Sequence, residues 1–183
     1  HLTASLGAAA APEAEALERA ALTSSSDPAF GVRCEATALG GALALSVPDR
    51  AASLATMALR GATAEHHALV DLASAPPAGA QARPRQKDAA QLLRGGMCAL
   101  HGGTALASAV LRASVESTPY LLDEALAVAE GLVMRQHDDL LSAGALVACA
   151  RAGWGVLGAV VASSSLTWLR TRARRLSEVW QRS

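Results

Sequence analysis

Residues 119–134 read PYLLDEALAVAEGLVM. Leu121, Leu122, Ala125, Leu126, Ala129 and Val133 recur at three- and four-residue spacing, which places them on one face of an α-helix. Ser117-Thr118 ahead of Pro119 opens that helix, since a proline at the first helical position has no N–H to leave unpaired. This is the clearest periodicity in the chain, and strand-like alternation is convincing nowhere.

Composition points the same way. Apolar residues make up 51% of the 183, yet aromatics only 3%, so the apolar fraction is mostly Ala, Leu and Val. Small side chains suit closely spaced helices, and Ala and Leu are strong helix formers. The β-branched and aromatic residues that favour strands are scarce. The expected fold is all-α, an α-solenoid or irregular bundle of roughly eight to ten short helices paired as hairpins.

Upstream, Pro12 with Glu13, Glu15 and Glu18 opens a first helix, which Ser24-Ser25-Ser26-Asp27-Pro28 stops. Further helices are expected at about 30–45, 50–59 (followed by Gly61) and 64–73. Residues 74–87, SAPPAGAQARPRQK, form a linker rich in Pro, Ala and Gly. It divides an N-terminal helical subdomain, 1–73, from a C-terminal helical-repeat subdomain, 88–183. In the latter, Asp88 caps a helix that Gly102-Gly103 ends, and Thr104 starts another. Asp138 and Asp139 cap a helix ending at Gly153. The last helix is basic, with Leu166, Leu169, Ala173, Leu176 and Trp180 at helical spacing.

Basic and acidic residues balance at 16 each, so no overall field attracts nucleic acid or acidic membranes. The balance hides an asymmetry. Residues 1–80 hold four arginines against eight acids, and residues 81–183 hold twelve basic against eight acidic residues. Arg170, Arg172, Arg174 and Arg175 cluster near the C-terminus, and Arg83, Arg85 and Lys87 form a second basic spot. Arginine suits phosphate contacts. Cys34, Cys98 and Cys149 form no CxxC pair, so the sequence reads as neither a zinc ribbon nor a disulfide framework. The chain opens with His1 rather than Met, as a processed or trimmed product would.

A weak internal repeat aligns DAAQLLRGGMCALHGG from Asp88 with DLLSAGALVACARAGW from Asp139, setting Cys98 on Cys149 and Gly102 on Gly153. The stretch LLDEALAVAEGLVMRQHDDLLSAGALVACARAG, residues 121–153, resembles the helical repeats of organellar RNA-binding proteins of the octotricopeptide and RAP/FAST-kinase-like type. Asp139-Leu140, Ala148, Ala150 and Gly153 fill one part of that pattern, and Leu121-Leu122, Leu126 and Arg135 roughly fill the other. The repeat is overlong, there is no RAP domain, and no register holds before residue 80. The resemblance implies RNA binding on a superhelical face, commonly in mitochondria or chloroplasts, and carries over no base-reading residue.

Catalytic and metal motifs are poorly supplied. His66 and His67 are adjacent, so on a helix they point about 100° apart and cannot chelate from one face. Cys98 and His101 can meet on one helix face, but nothing marks a third orienting group. His137-Asp138 is similar to the HD pair of metal phosphohydrolases, yet no Asp follows Asp139. Gly95-Gly96 and Gly102-Gly103 follow no strand and precede no GKS/T, so they are not phosphate loops. No enzyme activity, cofactor or metal is expected.

The expected function is therefore a non-catalytic helical-repeat subunit of an organellar ribonucleoprotein such as the mitochondrial ribosome. Arg170, Arg172, Arg174, Arg175, Arg83, Arg85 and Lys87 would meet RNA, and protein subunits would supply most contacts. The alternative is an accessory subunit of a mitochondrial membrane complex, anchored through Ala152–Leu169, 18 uncharged residues with basic flanks.

Overall fold

Three serines show how the chain turns composition into helices and breaks. Ser163 Oγ donates to the carbonyl of Leu111 (2.8 Å), and Ser164 Oγ donates to the carbonyl of Val160. Ser165 Oγ then accepts from the N–H of Trp168 (3.2 Å), capping a new helix. The apolar run Ala152–Leu169 is accordingly split between two helices and does not form one span.

The computed structural model describes residues 12–74, 83–114, 119–134 and 141–182, with backbone alone at 83–89, 119 and 182. Every regular element among them is helical. They are α1 (Ala14–Ser25), α2 (Phe30–Ser46), α3 (Pro48–Ser74), α4 (Arg83–Ala113), α5 (Pro119–Val133), α6 (Ala143–Ser163) and α7 (Leu166–Arg182). The fold is all-α. Helix α4 is the axis of the assembly and packs against α1, α2, α3 and α6, while α5 packs on α3, α6 and α7. Units of a solenoid meet only their sequence neighbours, so this arrangement is an irregular bundle.

Starts are well marked. Asp27 Oδ1 accepts from the N–H of Ala29 (2.7 Å) just ahead of α2. Pro48 opens α3, and Ser142 Oγ accepts from the N–H of Ala145 (3.4 Å) at α6. Asp138 and Asp139, the expected caps, lie outside the described residues, as does His137.

The stops differ from expectation. Helix α3 runs through Gly61, α4 through Gly102-Gly103, and α6 through Gly153 and Gly155. None of these glycines adopts the left-handed backbone that ends a helix. An interior glycine costs only about 1 kcal/mol relative to alanine, and packing easily exceeds that. Two expected helices therefore merge into α3, and two into α4. The latter begins at Arg83, inside the stretch read as linker.

The core is made of small groups. Ala55, Ala107, Ala125, Ala129 and Ala159 are fully buried, interleaved with Leu59, Leu106, Leu111, Leu126 and Val160. One cluster joins Ala21, Leu54 and Leu59 to Leu106, Leu126, Val156 and Val179, so residues before and after 74–87 share one core. The face read on residues 121–133 is buried along its whole length.

Glycines let the helix backbones approach. A methyl at Gly102 would sit 1.6 Å from the carbonyl oxygen of Ser25, and one at Gly153 would sit 2.6 Å from Val133 Cγ2. The two segments of the internal repeat thus place their glycines against α1 and α5 respectively.

Candidate functional site

The basic C-terminal helix is the site the sequence selects, and its packing decides what its arginines do. Trp168 and Val179 are its buried residues, whereas Leu166 and Trp180 are 62% and 73% exposed. The seated face is therefore rotated from the one expected through Leu166, Ala173 and Trp180. It carries Trp168, Arg172, Arg175 and Val179, with Leu169 and Leu176 partly buried beside them.

This rotation turns two arginines inward. Arg172 forms a fork with Asp123 on α5, its Nε 2.6 Å from Oδ1, and its guanidinium lies 5.0 Å from the Trp168 ring. Arg175 makes the same fork with Glu130, Nε to Oε1 at 2.6 Å. The hydrogen bonds from Arg172 hold the Asp123 carboxyl below the usual carboxylate range. Arg174 pairs with Glu178 one turn on, in solvent (3.0 Å). Arg170 is exposed and has no carboxylate partner among the described residues. Arg83, Arg85 and Lys87 begin α4, but their side chains lie outside the described set.

A second positively charged surface does not stand out in the sequence. Along α4, His101, Thr104, Ala105, Ser108, Ala109 and Arg112 line one side of a cleft of about 310 Å³; Arg151, Ala152 and Gly155 of α6 and Thr37 of α2 complete the lining. Their spacings of three and four put each set on a single helix face. The two helices run side by side in the same direction, as Ser163 meets Leu111 at one end while His101 feels Arg151 near the other. Arg112 reaches across to α6, its Nη2 3.7 Å from where a methyl at Gly158 would lie.

Hydroxyl protons in the cleft are already used. Thr104 Oγ1 donates to the carbonyl of Leu100 (2.8 Å), and Ser108 Oγ to that of Thr104 (2.7 Å). Donors facing the opening are the two guanidiniums and the imidazole. Partial desolvation of His101, then the charges of Arg33 and Arg151, hold its pKa below the ordinary value near 6.5. Arg33 lies behind this end, 8% exposed, its Nη1 donating to the carbonyls of Asp27 (2.7 Å) and Pro28 (2.9 Å). Its Nε is buried without a partner.

Other candidates separate in space. Cys98 opens onto an apolar groove of about 990 Å³ between α3 and α4, whereas His101 opens onto the cleft, with its ring 6.0 Å from that of Phe30. The two do not face one site. His66 and His67 lie on α3 with ring centroids 6.0 Å apart. No three His, Cys, Asp or Glu gather in a metal-holding group among the described residues. The buried carboxylate of Glu18 is tied to Arg50 (2.8 Å) and joins α1 to α3.

No known protein family, curated protein or solved structure matches the chain.

Proposed function

We propose that this protein is a non-catalytic helical subunit of an organellar ribonucleoprotein, of the mitochondrial-ribosome kind, held mostly by protein neighbours and touching RNA phosphates through a minority of its arginines. The observation that carries this reading is the division among those arginines. Arg172 and Arg175 are consumed inside the fold, whereas Arg94, Arg112, Arg151 and Arg170 are exposed with no carboxylate partner among the described residues. In a chain of zero net charge, unpaired exposed guanidiniums are the groups that phosphates would engage. Phe30, Leu45, Leu92, Tyr120 and Leu166, each about 60% exposed, offer apolar contacts to neighbouring subunits.

Sedimentation of the native protein from lysed organelles, with and without RNase, tests this. A heavy particle that collapses under RNase is the expected outcome. A light species in both conditions refutes it.

One observation favours a second reading, a membrane-complex subunit. Helix α6, 21 residues long with a mean hydropathy of 1.7 over an 18-residue stretch, is long and apolar enough to cross a bilayer. Its single charge, Arg151, falls near the middle of the helix, where a lipid-facing arginine costs about 2.5–3.5 kcal/mol. Resistance to alkaline carbonate extraction, unaffected by RNase, is the result that would select this reading instead.

A further inference from the structure

We infer that the cleft between α4 and α6 is a seat for the phosphodiester backbone of a single-stranded RNA, with Arg151 and His101 at one end and Arg112 at the other. The inference rests on the ribonucleoprotein reading and names the surface that would carry it.

Charge comes first. Three cationic or protonatable groups line this opening, and among the described residues no carboxylate lines it and neither arginine is ion-paired. Behind it, Arg33 is a nearly buried guanidinium held by backbone carbonyls rather than by a carboxylate. Its guanidinium is met by those carbonyls and by the Phe30 ring at 5.6 Å but by no opposite charge among the described residues, and an anion lodged in the neighbouring cleft would add one. No other described surface collects cations in this way, since the α7 arginines largely face carboxylates of the protein itself.

Spacing then suits a strand. Arg112 lies over Gly158, seven residues beyond Arg151 on α6, so its guanidinium sits about 10 Å of helix rise from the Arg151 backbone, at ~1.5 Å per residue. Neighbouring phosphates of an extended strand can engage both ends of a cleft of that length. The floor suits a backbone lying along it, because a methyl at Gly155 would meet nothing within 4 Å and Ala105, Ala109 and Ala152 are small. Thr104 and Ser108 are buried with their protons committed to carbonyls, so they donate nothing to a phosphate and its contacts fall to Arg112, Arg151 and His101.

The test is fluorescence anisotropy of a labelled 12-nucleotide uridine oligomer with the full chain across a salt series. Wild type, Arg112→Ala/Arg151→Ala and Arg60→Ala are compared, Arg60 being an exposed arginine of α3 outside the cleft. The double variant should weaken binding at least tenfold and flatten the salt slope by about 1.4, two phosphate contacts at roughly 0.7 each. Arg60→Ala should match wild type. Lysine at both cleft positions should restore most of the affinity, since the phosphate term is a charge term. Bound oligomer should also raise the pKa of His101, read from its imidazole proton resonance.

Undiminished binding by the double variant overturns the inference, as does equal competition by poly-glutamate, which would make the cleft a seat for acidic protein. The two levels of the proposal can fail separately. If the native protein sediments light while the cleft binds RNA, only the ribonucleoprotein reading falls. If it rides an RNase-sensitive particle while the double variant binds normally, only the cleft falls.

Discussion

Helix α4 meets α1 and part of α3 backbone to backbone, with leucines and valines between, whereas α7 is seated by Trp168 and Val179, with Leu169 and Leu176 beside them, and tied to α5 by two arginine–carboxylate forks. At Gly102 the α4 backbone lies against the Ser25 carbonyl, and at Gly103 it passes Ala58 and Ala62 of α3. Such a seam has no slack, because close-packed backbones cannot rotate out of each other's way. The α7 contact is different in kind. Its forks are partly solvated, with Arg172 30% and Arg175 42% exposed, so ions and water compete for them. Trp168 Nε1, moreover, is buried without a hydrogen-bond partner. The chain thus combines a rigid centre with a terminal helix fastened by replaceable contacts.

The largest effect expected from breaking this contrast is Gly102→Ala. Alanine gains about 1 kcal/mol of helix propensity. The new methyl, however, would lie 1.6 Å from a backbone oxygen, and neither α1 nor α4 can yield by rotating a side chain. Overpacking typically costs about 1–3 kcal/mol, and more against backbone. A net loss of about 2 kcal/mol or more should appear in urea unfolding as a lower midpoint with unchanged slope. Wild-type stability would show that α1 is not seated on α4 at this point.

The α7 attachment should respond more weakly and to acid. Glu130→Gln removes one fork and should cost about 0.5–1 kcal/mol, discounted for solvent. Asp123→Asn should act in the same direction with a smaller effect. Asp123 ionises at a lower pH in the fold than in the unfolded chain, so it stabilises fully above about pH 4 and the contribution vanishes as pH falls through the depressed value. Limited proteolysis should therefore release α7 early in Asp123→Asn/Glu130→Gln at pH 7, and in wild type only on acidification. Gly102→Ala should not show this selective release. If α7 stays protected in the double variant, its burial of Trp168 and Val179 suffices to hold it.

The same contrast explains what was legible beforehand. The α5 face could be read because Leu121, Leu126 and Val133 mark it with bulky groups at helical spacing. Glycines are the opposite case, since Gly61, Gly102 and Gly153 look alike in sequence as helix stops, and only the neighbouring element shows what each does. Arg172 and Arg175 were visible as charge, but Asp123 and Glu130, 49 and 45 residues away, decide that the charge is spent. The cleft left two traces: the polar stripe His101, Thr104, Ser108 and Arg112 on α4, and Arg151 as the sole charge of α6. Joining them requires knowing that α4 and α6 lie side by side, which no local pattern states.

The smallest predicted effect, and the one of opposite sign, tests whether contact rather than residue type governs the glycines. Gly61 sits in the interior of α3, exposed, and a methyl there would meet nothing within 4 Å. Its backbone is helical, a conformation alanine adopts without strain. Replacement by alanine thus restricts the unfolded chain and improves helix propensity with no steric term against it, and should stabilise the protein by about 0.4–1 kcal/mol. Thermal unfolding of Gly61→Ala beside Gly102→Ala checks the pair, with midpoints expected to move up and down respectively. A fall in both would mean that α3 bends or opens at Gly61, as the sequence pattern alone had implied.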